Sequence, residues 1–88
     1  GPTHVVEYNL EYGTDRVEVH QDAIPPGSRV LMVDDLLATG GTMEGSSRLI
    51  EQEGGIIVGY AFVIELVDLK GRKKLDYPIF SLVTFEGE

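Results

Sequence analysis

The sequence has no cysteine, which excludes a disulfide framework, a thiolate nucleophile and a zinc–thiolate site, and it leaves the redox compartment unrecorded. Positive charge is scarce: 7 Lys and Arg stand against 15 Asp and Glu, for a formal net charge of −8. A chain this acidic repels nucleic acid and anionic membrane surfaces, so neither is an expected partner. Its one basic cluster is Lys70-Gly71-Arg72-Lys73-Lys74. The two histidines, His4 and His20, lack a second ligand at metal-binding spacing. Neither a membrane span nor a signal-peptide pattern is present, and the expectation is a cytoplasmic metabolic protein. With 88 residues the chain is one domain at most, 1–88, small enough to bury only about two thirds of its unfolded surface. It contains no repeat and no low-complexity segment.

Glu7-Tyr8-Asn9-Leu10-Glu11-Tyr12 alternates apolar and polar residues with the period of a strand. Gly13-Thr14-Asp15 supplies turn chemistry and Arg16-Val17-Glu18-Val19-His20 alternates again, so residues 5–21 read as a β-hairpin, placed ahead of the core like a flap. Pro25-Pro26-Gly27 halts any helix and turns the chain into a strand from Arg29 to Val33. Met43, Leu49 and Ile50 give a helical stripe over 42–53, which Gly54-Gly55 closes. Ile56 to Leu66 is almost wholly apolar and β-branched, the pattern of a central parallel strand covered on both faces. Leu69 to Leu75 reads as a short helix or turn, and Ile79 to Phe85 as a last strand, with Phe80 and Phe85 assigned to the core. The sum is an α/β fold with its core over 29–85, in which a right-handed crossover makes the strands on either side of the helix parallel.

Most of the chemistry lies in Val30-Leu31-Met32-Val33-Asp34-Asp35-Leu36-Leu37-Ala38-Thr39-Gly40-Gly41-Thr42. An apolar strand ends in two adjacent carboxylates and passes at once into a glycine- and threonine-rich turn that opens a helix. Backbone N–H groups freed by glycine at a helix N-terminus, with Thr hydroxyls and the positive end of the helix dipole, form an anion site. The carboxylates just before it can accept hydrogen bonds from vicinal hydroxyls, so a sugar phosphate suits this order of parts. Strand, tight turn and helix is also the ordinary connection of any parallel sheet, with Gly permitting the turn and Thr capping the helix. The segment has neither the GxGxxG spacing nor that of a Walker loop, and no Lys lies within it.

The thirteen-residue string resembles the phosphoribosyl pyrophosphate signature of type I phosphoribosyltransferases, and its Leu-Leu-Ala-Thr-Gly-Gly-Thr form resembles the adenine branch. The resemblance runs over nearly the whole chain as the C-terminal half of enzymes about twice as long. It implies a partial type I phosphoribosyltransferase core, a parallel sheet with flanking helices preceded by a β-hairpin flap. By resemblance, Asp34 and Asp35 would hold the ribose hydroxyls with magnesium close by, so that both are candidate metal contacts, while Ala38, Thr39, Gly40, Gly41 and Thr42 would wrap the 5′-phosphate. Leu10-Glu11-Tyr12-Gly13 resembles the family's catalytic loop, which makes Glu11 the acid/base group near the purine and Tyr12 the cover of the reacting centre. General acid/base groups contribute about 10²–10⁴-fold to rate. Read from the residues alone, Glu11 is a carboxylate on the polar face of an alternating strand. Glu65-Leu66 resembles a Glu-Leu pair of the family, where Leu66 would pack against the base; core packing is its other role. Lys70 to Lys74 resembles a family segment in which Glu stands where this chain has Lys73, and is otherwise a solvated face.

The implied reaction joins adenine and phosphoribosyl pyrophosphate into AMP and pyrophosphate, with Mg2+, in purine salvage. Two alternatives stay open: a noncatalytic nucleotide-binding module, and the same reaction on another purine. The family's adenine hood, its early pyrophosphate loop and the basic residues ahead of the flap have no counterpart in these 88 residues. One good helix and one short one cannot cover both faces of a parallel sheet. The expected partner is therefore a second copy, giving a homodimer, or a separate N-terminal half.

Overall fold

The computed structural model describes residues 3–7 and 25–87. In chain order they form β1 (Thr3–Glu7), β2 (Arg29–Leu37), α1 (Gly41–Gln52), β3 (Ile56–Leu66), two 3₁₀ turns at Val67–Leu69 and Gly71–Lys74, and β4 (Ile79–Phe85). The strands make one sheet in the order β1-β2-β3-β4, and every pairing is parallel. For β2 and β3, joined through α1, that is the arrangement a strand–helix–strand crossover dictates.

Local chemistry sets the elements. The Pro25-Pro26-Gly27 turn delivers the chain into β2: the Gly27 N–H donates to the Gly54 carbonyl at 2.8 Å and the Ser28 N–H to the Pro25 carbonyl at 3.0 Å. The first bond ties the start of β2 to the end of α1. The two small residues Ser46 and Ser47 are buried on α1 and let it approach the sheet closely. The Ser47 hydroxyl donates to the Met43 carbonyl at 2.7 Å and meets the Tyr60 hydroxyl at 3.2 Å. Between α1 and the sheet lies the core of Val30, Met32, Leu37, Met43, Ile50, Ile57, Tyr60, Phe62 and Leu75. Val30 pairs with Ile57 but Leu31 with Gly59, an irregularity that inserts Val58 into β3.

Several sequence expectations need correction. β2 does not stop at Val33 but runs to Leu37, because β3 continues alongside and pairs with Asp34, Leu36 and Leu37. The sheet has a further parallel strand, β1, and residues 5–7 of the expected flap hairpin belong to it. The remainder of that hairpin, with Glu11 and Tyr12, lies outside the described residues. Phe80 and Phe85 are not core: they are 63% and 56% exposed. β4 is an edge strand whose alternation turns Ile79 and Ser81 toward the covered side and Phe80 and Leu82 away from it. Nor is β3 covered on both faces among the described residues, since Ile56 and Val63 are exposed, and so are Phe80 and Leu82 on the neighbouring strand. Its unbroken apolar run therefore marks a sheet face with no layer over it among the described residues.

Candidate functional site

The carboxyl ends of β2 and β3 lie side by side, with Asp34 opposite Phe62 and Leu37 opposite Glu65. Open parallel sheets present their ligand crevices at this edge. Asp34 is half-buried and Asp35 exposed, and the Asp35 backbone N–H donates to Asp34 Oδ1 at 2.7 Å. Burial pushes the Asp34 carboxyl above its ordinary value; the Asp35 N–H acts against this and the Asp35 charge reinforces it. Leu66 closes β3 at the same edge and is half-buried.

Beyond Leu37 the chain bends through Ala38, Thr39 and Gly40 into α1. Gly40 is the N-cap, at φ 88, a left-handed backbone that glycine adopts without steric cost. The first helical bond runs from the Glu44 N–H to the Gly40 carbonyl at 2.9 Å, and among the described residues no side-chain hydrogen bond caps the helix. Thr39, Gly41 and Thr42 are exposed. The first-turn N–H donors are thus open to an external acceptor, at the end of the helix whose dipole favours an anion. The sequence-predicted residues Asp34, Asp35, Ala38, Thr39, Gly40, Gly41, Thr42 and Leu66 are brought to one edge of the sheet. Glu11 and Tyr12 lie outside the described residues.

Sequence reasoning missed the turn that backs this loop. Gly71 is buried against it: a Cβ on Gly71 would stand 2.5 Å from the Ala38 carbonyl oxygen, and one on Gly40 would stand 2.6 Å from the Gly71 carbonyl oxygen. Lys74 Nζ lies 3.9 Å from where a Cβ on Gly41 would sit, so a cation absent from the loop sequence reaches the helix N-terminus from the turn. Arg72 does not belong to a purely solvated face. Its Nε and Nη2 donate to Glu65 Oε2 and Oε1 at 2.6 and 2.9 Å, and Ser81 Oγ donates to Glu65 Oε1 at 2.8 Å. These bonds hold the Glu65 carboxyl below its ordinary range, against the opposing effect of burial. The readable signal was Glu65 itself, a lone carboxylate near the end of an apolar strand, which demands a partner if buried.

A magnesium ion suits the donor chemistry present. Asp34 and Asp35 supply hard oxygen ligands, and among the described residues no group of three or more His, Asp or Glu side chains converges to form a closed cage. Mg2+ is ordinarily held by one or two carboxylates together with substrate oxygens and water.

Residues 2–87 match the family model of the phosphoribosyl transferase domain. The chain belongs to the phosphoribosyltransferase family. Adenine phosphoribosyltransferase of Clostridium beijerinckii is 58% identical over 87 residues, covering 98% of this chain and 51% of that protein. The crystal structure of adenine phosphoribosyltransferase from Rhodothermus marinus superposes with a TM-score of 0.77 at 54% identity, over 86% of this chain and 44% of that one. The Saccharomyces cerevisiae adenine phosphoribosyltransferase, solved with an imino-altritol bisphosphate and adenine, gives a TM-score of 0.74 at 46% identity, over 78% of this chain and 41% of that one. The chain thus spans about half the length of the curated relatives it matches. Its parallel sheet and crossover helix are those of the type I phosphoribosyltransferase fold.

Proposed function

We propose that this chain is the nucleotide-binding half of an adenine phosphoribosyltransferase, joining adenine and phosphoribosyl pyrophosphate into AMP and pyrophosphate for purine salvage in the cytoplasm. The observation that carries the reading is the uncapped N-terminus of α1, with its left-handed Gly40, directly after the paired carboxylates of β2. The 5′-phosphate accepts hydrogen bonds from the backbone N–H groups of Gly41 and Thr42 and from the Thr39 and Thr42 hydroxyls, with Lys74 adding positive charge. Asp34 and Asp35 accept from the ribose 2′- and 3′-hydroxyls, and Leu66 offers an apolar contact to the purine. When bound, magnesium offsets the charge of the departing pyrophosphate; Asp34 and Asp35 are the residues that would hold it.

As pyrophosphate leaves C1, the ribose ring takes on oxocarbenium character and purine N9 attacks. Glu11 exchanges a proton with the purine ring, and Tyr12 shields the reacting carbon from water. The sheet face carrying Val63, Phe80 and Leu82 calls for a covering layer, which we assign to a second copy of the chain or to an N-terminal half. Adenine and phosphoribosyl pyrophosphate are supplied with Mg2+, and AMP formation is followed for the wild type and Glu11→Ala, each with its covering half. Glu11→Ala is expected to lower turnover about 10²-fold or more. Full activity in that variant removes Glu11 from the chemistry, and AMP binding without AMP formation by the wild type favours a noncatalytic module.

A further inference from the structure

We propose that the Glu65–Arg72–Ser81 clamp sets the position of the phosphate-binding loop, acting through the backbone of Gly71. The inference rests on the phosphoribosyl reading of that loop, and it makes Arg72 a positioning residue.

The turn at Gly71–Lys74 touches the loop from behind and leaves it no room. The two glycines face each other so closely that a methyl group on either would meet the other side's backbone, at 2.5 Å from the Ala38 carbonyl oxygen or 2.6 Å from that of Gly71. Leu37, fully buried, closes the same contact, with its Cδ1 2.8 Å from the place of a Gly71 Cβ. A loop packed this way takes its position from whatever holds the turn. Arg72, the next residue, holds it by a two-pronged bond to a carboxylate that is 2% exposed, and Ser81 of β4 fixes the same carboxylate from the other side. Planar guanidinium and carboxylate groups joined at two points fix orientation as well as distance. Three segments, β3, β4 and the turn, therefore converge on one buried anion.

The backbone at the entry to the turn is consistent with external restraint. Lys70 sits at φ 57 and is, among the described residues, the one non-glycine in the left-handed region. A side chain held there implies that surrounding contacts over-determine the conformation. The Lys70 N–H donates to the Val67 carbonyl at 3.0 Å and the Lys73 N–H to the Lys70 carbonyl at 3.1 Å, which joins the two 3₁₀ turns into one unit. That unit runs from the end of β3 to the back of the loop. An oxyanion site made of backbone N–H groups has no side-chain freedom with which to follow a displaced ligand, so a small movement of the loop weakens every bond to the phosphate together.

The test uses ribose 5-phosphate as the probe and follows the amide resonances of Ala38 to Met43 in the protein, at a temperature where circular dichroism shows each variant folded. Gly71 lies outside the left-handed region, so Gly71→Ala imposes only the steric demand. It is expected to shift the loop amides without ligand and to weaken ribose 5-phosphate binding by about tenfold. Glu65→Gln combined with Arg72→Met is expected to weaken it in the same direction, Ser81→Ala by about threefold, and Arg72→Lys less than Arg72→Met. A purely structural clamp would lower the unfolding midpoint of these variants and leave the affinity of their folded forms unchanged; that result overturns the proposal. Ser81→Ala and Arg72→Lys, the mildest changes, decide the question if the others do not fold. Failure of the wild type to bind ribose 5-phosphate overturns the phosphate reading and the clamp together. Binding by the wild type with unaltered variants overturns the clamp alone.

Discussion

Replacing Gly40 by alanine probes the contact on which the site's geometry depends. Two costs are involved. A Cβ at φ 88 places the backbone in the left-handed region, which costs an L-residue about 1–2 kcal/mol. The same Cβ would stand 2.6 Å from the Gly71 carbonyl oxygen and 3.1 Å from the Gly71 Cα, both backbone atoms, so no side chain can swing aside. Overpacking of this kind costs about 1–3 kcal/mol, for a sum of about 2–5 kcal/mol. Gly27 is the internal control: its φ is 82, but a Cβ there meets nothing within 4 Å among the described residues, so Gly27→Ala is expected to incur the backbone cost alone. Urea unfolding followed by circular dichroism separates the two. With a urea slope of about 1 kcal/mol/M for a domain this small, the midpoint of Gly40→Ala should lie about 1–3 M below that of Gly27→Ala. Coincident midpoints would refute the reasoning, because the Gly71 carbonyl would then not be pressed against the loop.

Acid should dissolve the clamp in a defined direction. The folded-state pKa of Glu65 is lowered, chiefly by Arg72, so its contribution to stability is complete above the ordinary carboxylate value of 4.5 and is lost as pH falls through the lower folded value. The difference in urea midpoint between wild type and Glu65→Gln should therefore be constant from pH 7 to about 5 and shrink below about 4.5; a gap unchanged at pH 3 contradicts it. The sheet face left open among the described residues makes a different prediction. Phe80→Ser with Leu82→Ser should alter the stability of the chain itself by less than about 1 kcal/mol, since both side chains are more than half exposed, while reducing its mass in sedimentation. Retained association by a folded double variant would place the contact elsewhere.

Much of the fold was legible because the controlling signals are local. The apolar run of β3 and the Gly54-Gly55 stop of α1 depend on neighbours in sequence, and both elements were expected within a residue or two of their bounds. The strand-ending carboxylates and the glycine turn were legible for the same reason. What escaped depends on partners distant in the chain. β2 continues through Asp34 and Asp35 only because β3 runs beside it, and Arg72 is tied down only because it and Ser81 converge on the buried Glu65. Phe80 was misplaced because apolar character does not say which face of a strand has a layer over it, and Phe85 because it shares the face of Ile79 and Ser81 but lies at the exposed end of the strand. Positive charge looked absent from the loop, yet Lys74 brings it to the helix N-terminus from a turn more than thirty residues later.

The most direct test of the central claim is the equilibrium affinity of the protein for AMP with Mg2+, compared with Asp34→Ala plus Asp35→Ala, and with adenosine in place of AMP. A phosphoribosyl site predicts a loss of tenfold or more from the double substitution, about 1.4 kcal/mol or above, and a comparable loss when the phosphate is removed. AMP affinity unchanged by the double substitution and matched by adenosine would contradict the account.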